Sequence, residues 1–113
     1  MKLLLDANAF IWAYARPTEL SPAARRALSD VVNDRLVSTA SLWEIAIKIR
    51  LGKLEGEVSA LADAIDASGF RDLPVSVRHA AAVSQLPLHH ADPFDRLLLA
   101  QAFVEPLRFV TAD

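Results

Sequence analysis

Apolar positions along the chain switch between two periods. KLLLD (2–6) is a short apolar run with no helical stripe, as a buried strand requires. ANAFIWAYA (7–15) follows as a helix that Arg16-Pro17 ends, because the residue before proline is pushed out of helical geometry. Ser21-Pro22 starts a second helix, running to about Asn33, with serine as cap and proline in the first turn. RLVS (35–38) is a second strand. TASLWEIAIKIRLGKL (39–54) is a helix with Leu42, Ile45 and Ile49 on one side, closing near Gly52, and VSALADAIDASG (58–69) is another, closed by Gly69. FRDLPV (70–75) is predicted as a strand, VRHAAAVSQL (77–86) and DPFDRLLLAQAFVE (92–105) as helices, and LRFVTAD (107–113) as a closing strand. Strands alternating with helices predict a three-layer α/β/α sandwich around a short, mostly parallel sheet.

With 113 residues the chain has the length of one domain. Its hydrophobic fraction of 53% is slightly above the usual range, which suits an apolar surface covered by a partner or a dense helical core. Cysteine is absent, excluding disulfides and thiolate metal sites. Asp6 interrupts the N-terminal leucines too early for a signal peptide, and no apolar run could span a membrane, so a cytoplasmic location is expected. A net charge of −2 gives no bulk attraction to nucleic acid, so any such contact needs a local basic patch or bound cations.

In open parallel sheets ligands bind beyond the carboxyl ends of the strands, and four acids fall there. Asp6 ends the first strand and Asp113 the last; Glu44 and Asp95 are expected in the first turns of the helices after the second strand and the DP turn. Acids so gathered repel unless a cation or shared protons relieve them, and oxygen donors without cysteine suit Mg2+ or Mn2+. Structural roles compete for the same residues. Ser41-Leu-Trp-Glu44 has capping-box spacing, and Asp92-Pro93-Phe94-Asp95 reads as a cap, a proline and a first-turn acid. Glu44 also stands four residues before Lys48, the spacing of a helical ion pair. Pattern alone leaves both readings open.

The segments LLLDANAFIWAYA, ASLWEIAIKIRLGKL, LPLHHADPFDRLLLAQA and LRFVTAD, in that order, resemble a PIN-domain protein, and more narrowly the VapC-type toxins of bacterial toxin–antitoxin pairs. The resemblance runs from Met1 to Asp113. It implies a metal-dependent ribonuclease in which Asp6, Glu44, Asp95 and Asp113 hold Mg2+ or Mn2+ and Asp92 is only the helix cap. It further implies an RNA substrate, a small antitoxin that blocks the acidic pocket, and a homodimer. The sequence departs from the family in DANAF, where relatives often carry threonine or histidine after the first acid, and in stopping at Asp113, where relatives continue through a short helix and a final strand.

Around these acids, Asn8, Ser41 and Thr111 are candidates to order a ligand water, with a plain cap as the alternative for Ser41. Arg96 is a candidate phosphate contact or a solvent-facing residue. Lys48, Arg50 and Lys53 could guide RNA or form a solvated face; Trp12 and Trp43 could stack on bases but have core-like neighbours. His89 and His90 are adjacent in a loop, a poor arrangement for joint ligation. A receiver-type signalling domain would need paired acids after the first strand and a late lysine, and a haloacid-dehalogenase-like phosphatase would need D-x-D-x-T; DANAF offers neither. A non-catalytic PIN-like binding module is the remaining alternative.

Overall fold

A computed structural model describes residues 1–87 and 92–111. Four strands, β1 (Lys2–Leu5), β2 (Asp34–Ser38), β3 (Arg71–Leu73) and β4 (Arg108–Val110), form one sheet in the order β3-β2-β1-β4. Every pairing is parallel: Leu5 faces Val37 on one side and Val110 on the other, and Val37 faces Asp72. Parallel neighbours need crossovers, and helices supply them. Helices α1 (Ala7–Ala15) and α2 (Pro22–Ser29) join β1 to β2; α3 (Thr39–Arg50) and α4 (Val58–Ala67) join β2 to β3. Helices α5 (Val77–Ala82) and α6 (Pro93–Val104) lie between β3 and β4 in sequence. The predicted α/β/α sandwich is what forms.

Strand alternation divides the core. Leu3, Leu5 and Val37 point to one face, where they pack with Phe10, Leu20, Leu28, Ile45, Leu61, Ile65 and Phe70 from α1 to α4 and their loops. Leu4 and Leu36 point to the other, against Leu98 of α6, with Leu73, Leu107 and Phe109 at the margin. Burial of each such leucine contributes about 1.5–3 kcal/mol. Helix α5 is tied to this second layer by His79, which is fully buried. Its Nδ1 accepts the Ser76 backbone N–H at 3.0 Å, so Nε2 carries the hydrogen directed at Glu105 Oε2, 2.7 Å away. Ser76 and His79 thereby form a capping box that the sequence pattern did not suggest.

Several boundaries differ from expectation, each for a local reason. Helix α2 stops at Ser29 rather than Asn33, because Asp30 turns extended and its Oδ1 takes the Val32 N–H. Helix α3 stops at Arg50, just short of the closure expected near Gly52. Gly52, at φ 73°, lets the Lys53 N–H reach back to the Lys48 carbonyl. The 77–86 helix is α-helical only to Ala82 and tightens into a 3-10 turn over Val83–Gln85; a further 3-10 turn, Pro17–Glu19, was not anticipated. The strands β3 and β4 are each three residues long, shorter than 70–75 and 107–113, and residues 112–113 lie outside the described set. Gly69 closes α4 as expected, at φ 81°.

Across the edge of the sheet Asp34 accepts from both Nε (2.9 Å) and Nη2 of Arg71. That bidentate bond holds the Asp34 carboxyl below the usual aspartate range. The pair is solvent-exposed, so its effect is small and confined to one pH window. A depressed carboxyl contributes stability above its unfolded value of about 3.9, and loses it as pH falls through the folded value. Asp34→Asn should therefore lower Tm at pH 7 by no more than about 5 °C, and by progressively less as pH falls through the folded-state value of Asp34, in paired thermal melts.

Candidate functional site

The carboxyl edge of the sheet carries Asp6 and the start of α3. Asp6 is the first residue past β1. Its N–H donates to the Val110 carbonyl at 3.0 Å, locking it beside the end of β4, and its Oδ1 accepts the Ala9 N–H at 2.7 Å. Asp6 is thus the N-cap of α1 as well as a strand-end acid, a role that sequence reading missed although an aspartate before an alanine-rich helix is its ordinary signal. Thr111 follows Val110 on the same edge and is exposed, as is Asn8 in the first turn of α1.

Strand β2 passes into α3 without a loop, and this corrects the capping-box reading. Ser38 is the cap: its side chain accepts the Ala40 N–H at 3.0 Å. Ser41 lies inside the first turn and Glu44 in the second, too far along to serve the helix start. Glu44 instead meets Lys48, Oε2 to Nζ 3.0 Å, the predicted pairing. Ser41 is fully buried and its Oγ has no hydrogen-bond partner among the described residues. A helical serine ordinarily bonds the carbonyl one turn back or faces water. Leaving a buried hydroxyl unmatched costs about 1–3 kcal/mol.

At the start of α6, Asp92 Oδ1 accepts from the Phe94 N–H at 2.8 Å and more weakly from Asp95 at 3.4 Å, with Pro93 in the first turn. Asp92 is the cap, and Asp95 stands exposed one turn along. The division of labour expected at this helix start holds on its structural half. Arg96 is occupied elsewhere: its guanidinium donates to the carbonyls of Pro87 and Val83, both at 3.0 Å, and so fastens the preceding segment to α6. The aromatics also separate. Trp12 packs against the core, whereas Trp43 is 61% exposed and meets Phe94 edge to face at 5.2 Å, so core packing does not account for it.

The elements place Asp6, at the end of β1, and Glu44, on the helix leaving β2, along the carboxyl edge, with Asp95 near the start of α6. Asp113, His89 and His90 lie outside the described residues. Among the described residues, no three Asp, Glu or His side chains converge closely enough to hold a metal ion. The donor chemistry nonetheless fits a hard divalent cation, since every candidate donor is a carboxylate or hydroxyl oxygen. The orphaned Ser41 Oγ, one turn before Glu44 on α3, adds a buried polar atom in want of a partner. The Glu44–Lys48 contact is partly exposed and is worth about 0–1 kcal/mol, a weak competitor for a dication.

Comparison with known proteins agrees with the fold. The PIN-domain family profile matches residues 3–113. Among solved structures, the chain is similar to one described as VapBC2 from Rickettsia felis bound to a DNA fragment from their promoter, at a TM-score of 0.73 and 18% identity. That match covers 98% of this chain and 87% of the other. No curated protein sequence matches the chain.

Proposed function

Since the chain belongs to the PIN-domain family, we propose that it is a metal-dependent endoribonuclease of the VapC toxin type, cutting RNA phosphodiester bonds in the cytoplasm. The observation that carries this reading is the family match across 3–113, with Asp6 and Glu44 at the carboxyl edge and Asp95 at an independent helix start. Asp6, Glu44 and Asp95, with Asp113, would hold Mg2+ or Mn2+, and the buried Ser41 hydroxyl would order a water at the site. The ion would supply an activated water and neutralise charge on the phosphate. The chain's own share is positional. Asp6 is fixed by the Val110 carbonyl and the α1 cap, and Glu44, paired with Lys48 at 3.0 Å, would leave it for the ion and free Lys48 for a phosphate. Asn8 and Thr111 stand where they could orient water. A small antitoxin covering this edge and a homodimeric assembly complete the proposal. No helix is long and apolar enough to cross a membrane among the described residues.

Thermal melting of wild type and Asp95→Asn, each with and without Mn2+, tests this without a guess at the substrate. Binding to the native state stabilises it by about 2.7 kcal/mol at 100 times Kd, several degrees in Tm. Wild type should gain that stability and Asp95→Asn should not. Without metal the variant should match or exceed wild type, because a repelling charge is gone. Equal, metal-insensitive melts would instead favour the non-catalytic binding module, which the unconverged acids among the described residues also suit.

A further inference from the structure

The amino edge of the sheet, opposite Asp6, carries a different chemistry. Arg35 is the second residue of β2, Phe70 precedes β3, and Leu28 lies in the last turn of α2. They line a hollow of about 220 Å³, in which buried Leu20, Leu28 and Phe70 meet the polar groups of Arg25, Arg35 and Ser68. A second hollow of about 320 Å³ runs along α2 between Pro22, Arg25, Arg26 and Ser29, so the two share Arg25 and Ser29. Among the described residues no acid lines either one.

We propose that this corner binds a small organic anion, an apolar body of ring or short-chain size that carries a carboxylate or phosphate group. The body rests against Leu20, Leu28 and Phe70, and the charged head lies between Arg25 and Arg35, with the Ser68 hydroxyl as a further donor. The chain is net acidic, yet residues 20 to 29 hold two arginines and no acid. Arg25 and Arg26 are exposed and form no ion pair among the described residues. The acids that could compensate them are placed elsewhere. Asp30 takes the Val32 N–H, Asp34 holds Arg71, Asp66 lines a separate hollow between α3 and α4, and Glu19 lines neither of these two. The ends of α2 and α4 bring partial negative charge to the corner, but Arg35 already bonds the Leu28 and Gly69 carbonyls and offsets it. Each of its terminal nitrogens keeps a second N–H. Carboxylates brought together can share a proton, whereas guanidiniums stay charged, so an anion is what relieves Arg25 and Arg35. The planar fork of each matches two oxygens of one carboxylate or phosphate. An apolar wall with a few placed polar groups is the usual make-up of a small-molecule site. None of these residues lies at the acidic edge, so the inference stands apart from the ribonuclease reading.

Amide chemical-shift titration of the nitrogen-labelled chain with phenyl phosphate and with benzoate, at neutral pH and low salt, tests this. At least one of the two should give saturable shifts at Leu28, Ser29, Ser68 and Gly69, and the tighter one identifies the preferred head group. Benzyl alcohol, which lacks the charge, should give none. Inorganic phosphate, which leaves the apolar wall empty, should bind at least about tenfold more weakly than phenyl phosphate. Arg25→Gln and Arg25→Glu should each raise Kd about tenfold or more, the scale of a lost charged hydrogen bond. Their spectra away from the hollow should match wild type, which shows that the fold survives. Arg78→Gln, on α5 and outside both hollows, should leave Kd unchanged. The inference is overturned if neither anion gives saturable shifts at this corner, or if the Arg25 variants bind as wild type does. Equal affinity for inorganic and phenyl phosphate would also overturn it, leaving a site of charge alone. So would an RNA heptamer or a hexaglutamate peptide that displaced phenyl phosphate at lower concentration, because the corner would then serve a macromolecular partner.

Discussion

Asp6→Asn is expected to lower Mn2+-dependent RNA cleavage by about 100-fold or more while leaving the melting temperature of the metal-free protein nearly unchanged. Asp6 does two things at once. It caps α1 through Oδ1, and it presents a carboxylate at the carboxyl edge of β1. Asparagine is as good an N-cap as aspartate, so the substitution keeps the first role and removes charge only from the second. Loss of even an outer partner of a metal site typically costs 10–100-fold, and loss of a direct carboxylate should cost at least the upper value. Asp6→Ala should lose the same activity and, in addition, about 1 kcal/mol of stability with the cap. Initial-rate assays on a labelled RNA, with melts of the same preparations, measure both. Asp6→Asn cleaving like wild type would leave Asp6 as a helix cap and nothing more.

This double role marks a limit of sequence reading. The parallel sheet was legible because KLLL, RLV and RFV are compact apolar runs separated by helical periods. The Asp92 cap was legible because the whole device lies within four consecutive residues. Ser41 and Glu44 were misplaced by one turn, since S-x-x-E spacing fits a cap wherever it occurs. Ser38, the true cap, looked like the last residue of a strand, and β2 does indeed run directly into α3. His79 was invisible for a different reason. Half of its network is local, through Ser76, but the partner that explains its burial, Glu105, lies 26 residues on. Core-like neighbours favoured a buried Trp43 over a base-stacking one, although an amphipathic helix buries only one stripe. The four acids were mapped to strand and helix ends by where ligands bind in parallel sheets, and family resemblance then favoured a ligand role that their pattern alone left open.

Arg35 carries the largest stability effect expected from a charged residue, through partners that are backbone carbonyls and a ring. It lies on β2 opposite Leu3, directed into the layer formed by α1 to α4. Its Nη1 donates to the Leu28 carbonyl at 2.8 Å and its Nη2 to the Gly69 carbonyl at 3.3 Å. Leu28 is in the last turn of α2 and Gly69 just past the end of α4, so one guanidinium serves the ends of two helices, where the dipoles favour positive charge. Its plane also lies over Phe70, 5.5 Å from the ring centroid. Against this, Nε is buried without a partner, which subtracts from the gain. Hydrogen bonds to charged groups contribute about 1.5–3 kcal/mol each when buried, and these are only partly so. Arg35→Ala should therefore cost about 2–3 kcal/mol, lowering Tm by roughly 8–20 °C in a domain of this size. Arg35→Lys should recover less than half of the loss, because a single ammonium lacks the planar fork that spans both carbonyls. Denaturant melts of the three proteins decide it. A loss below about 1 kcal/mol for Arg35→Ala, or full recovery by lysine, would mean that packing rather than the bridge between helix ends holds this corner together.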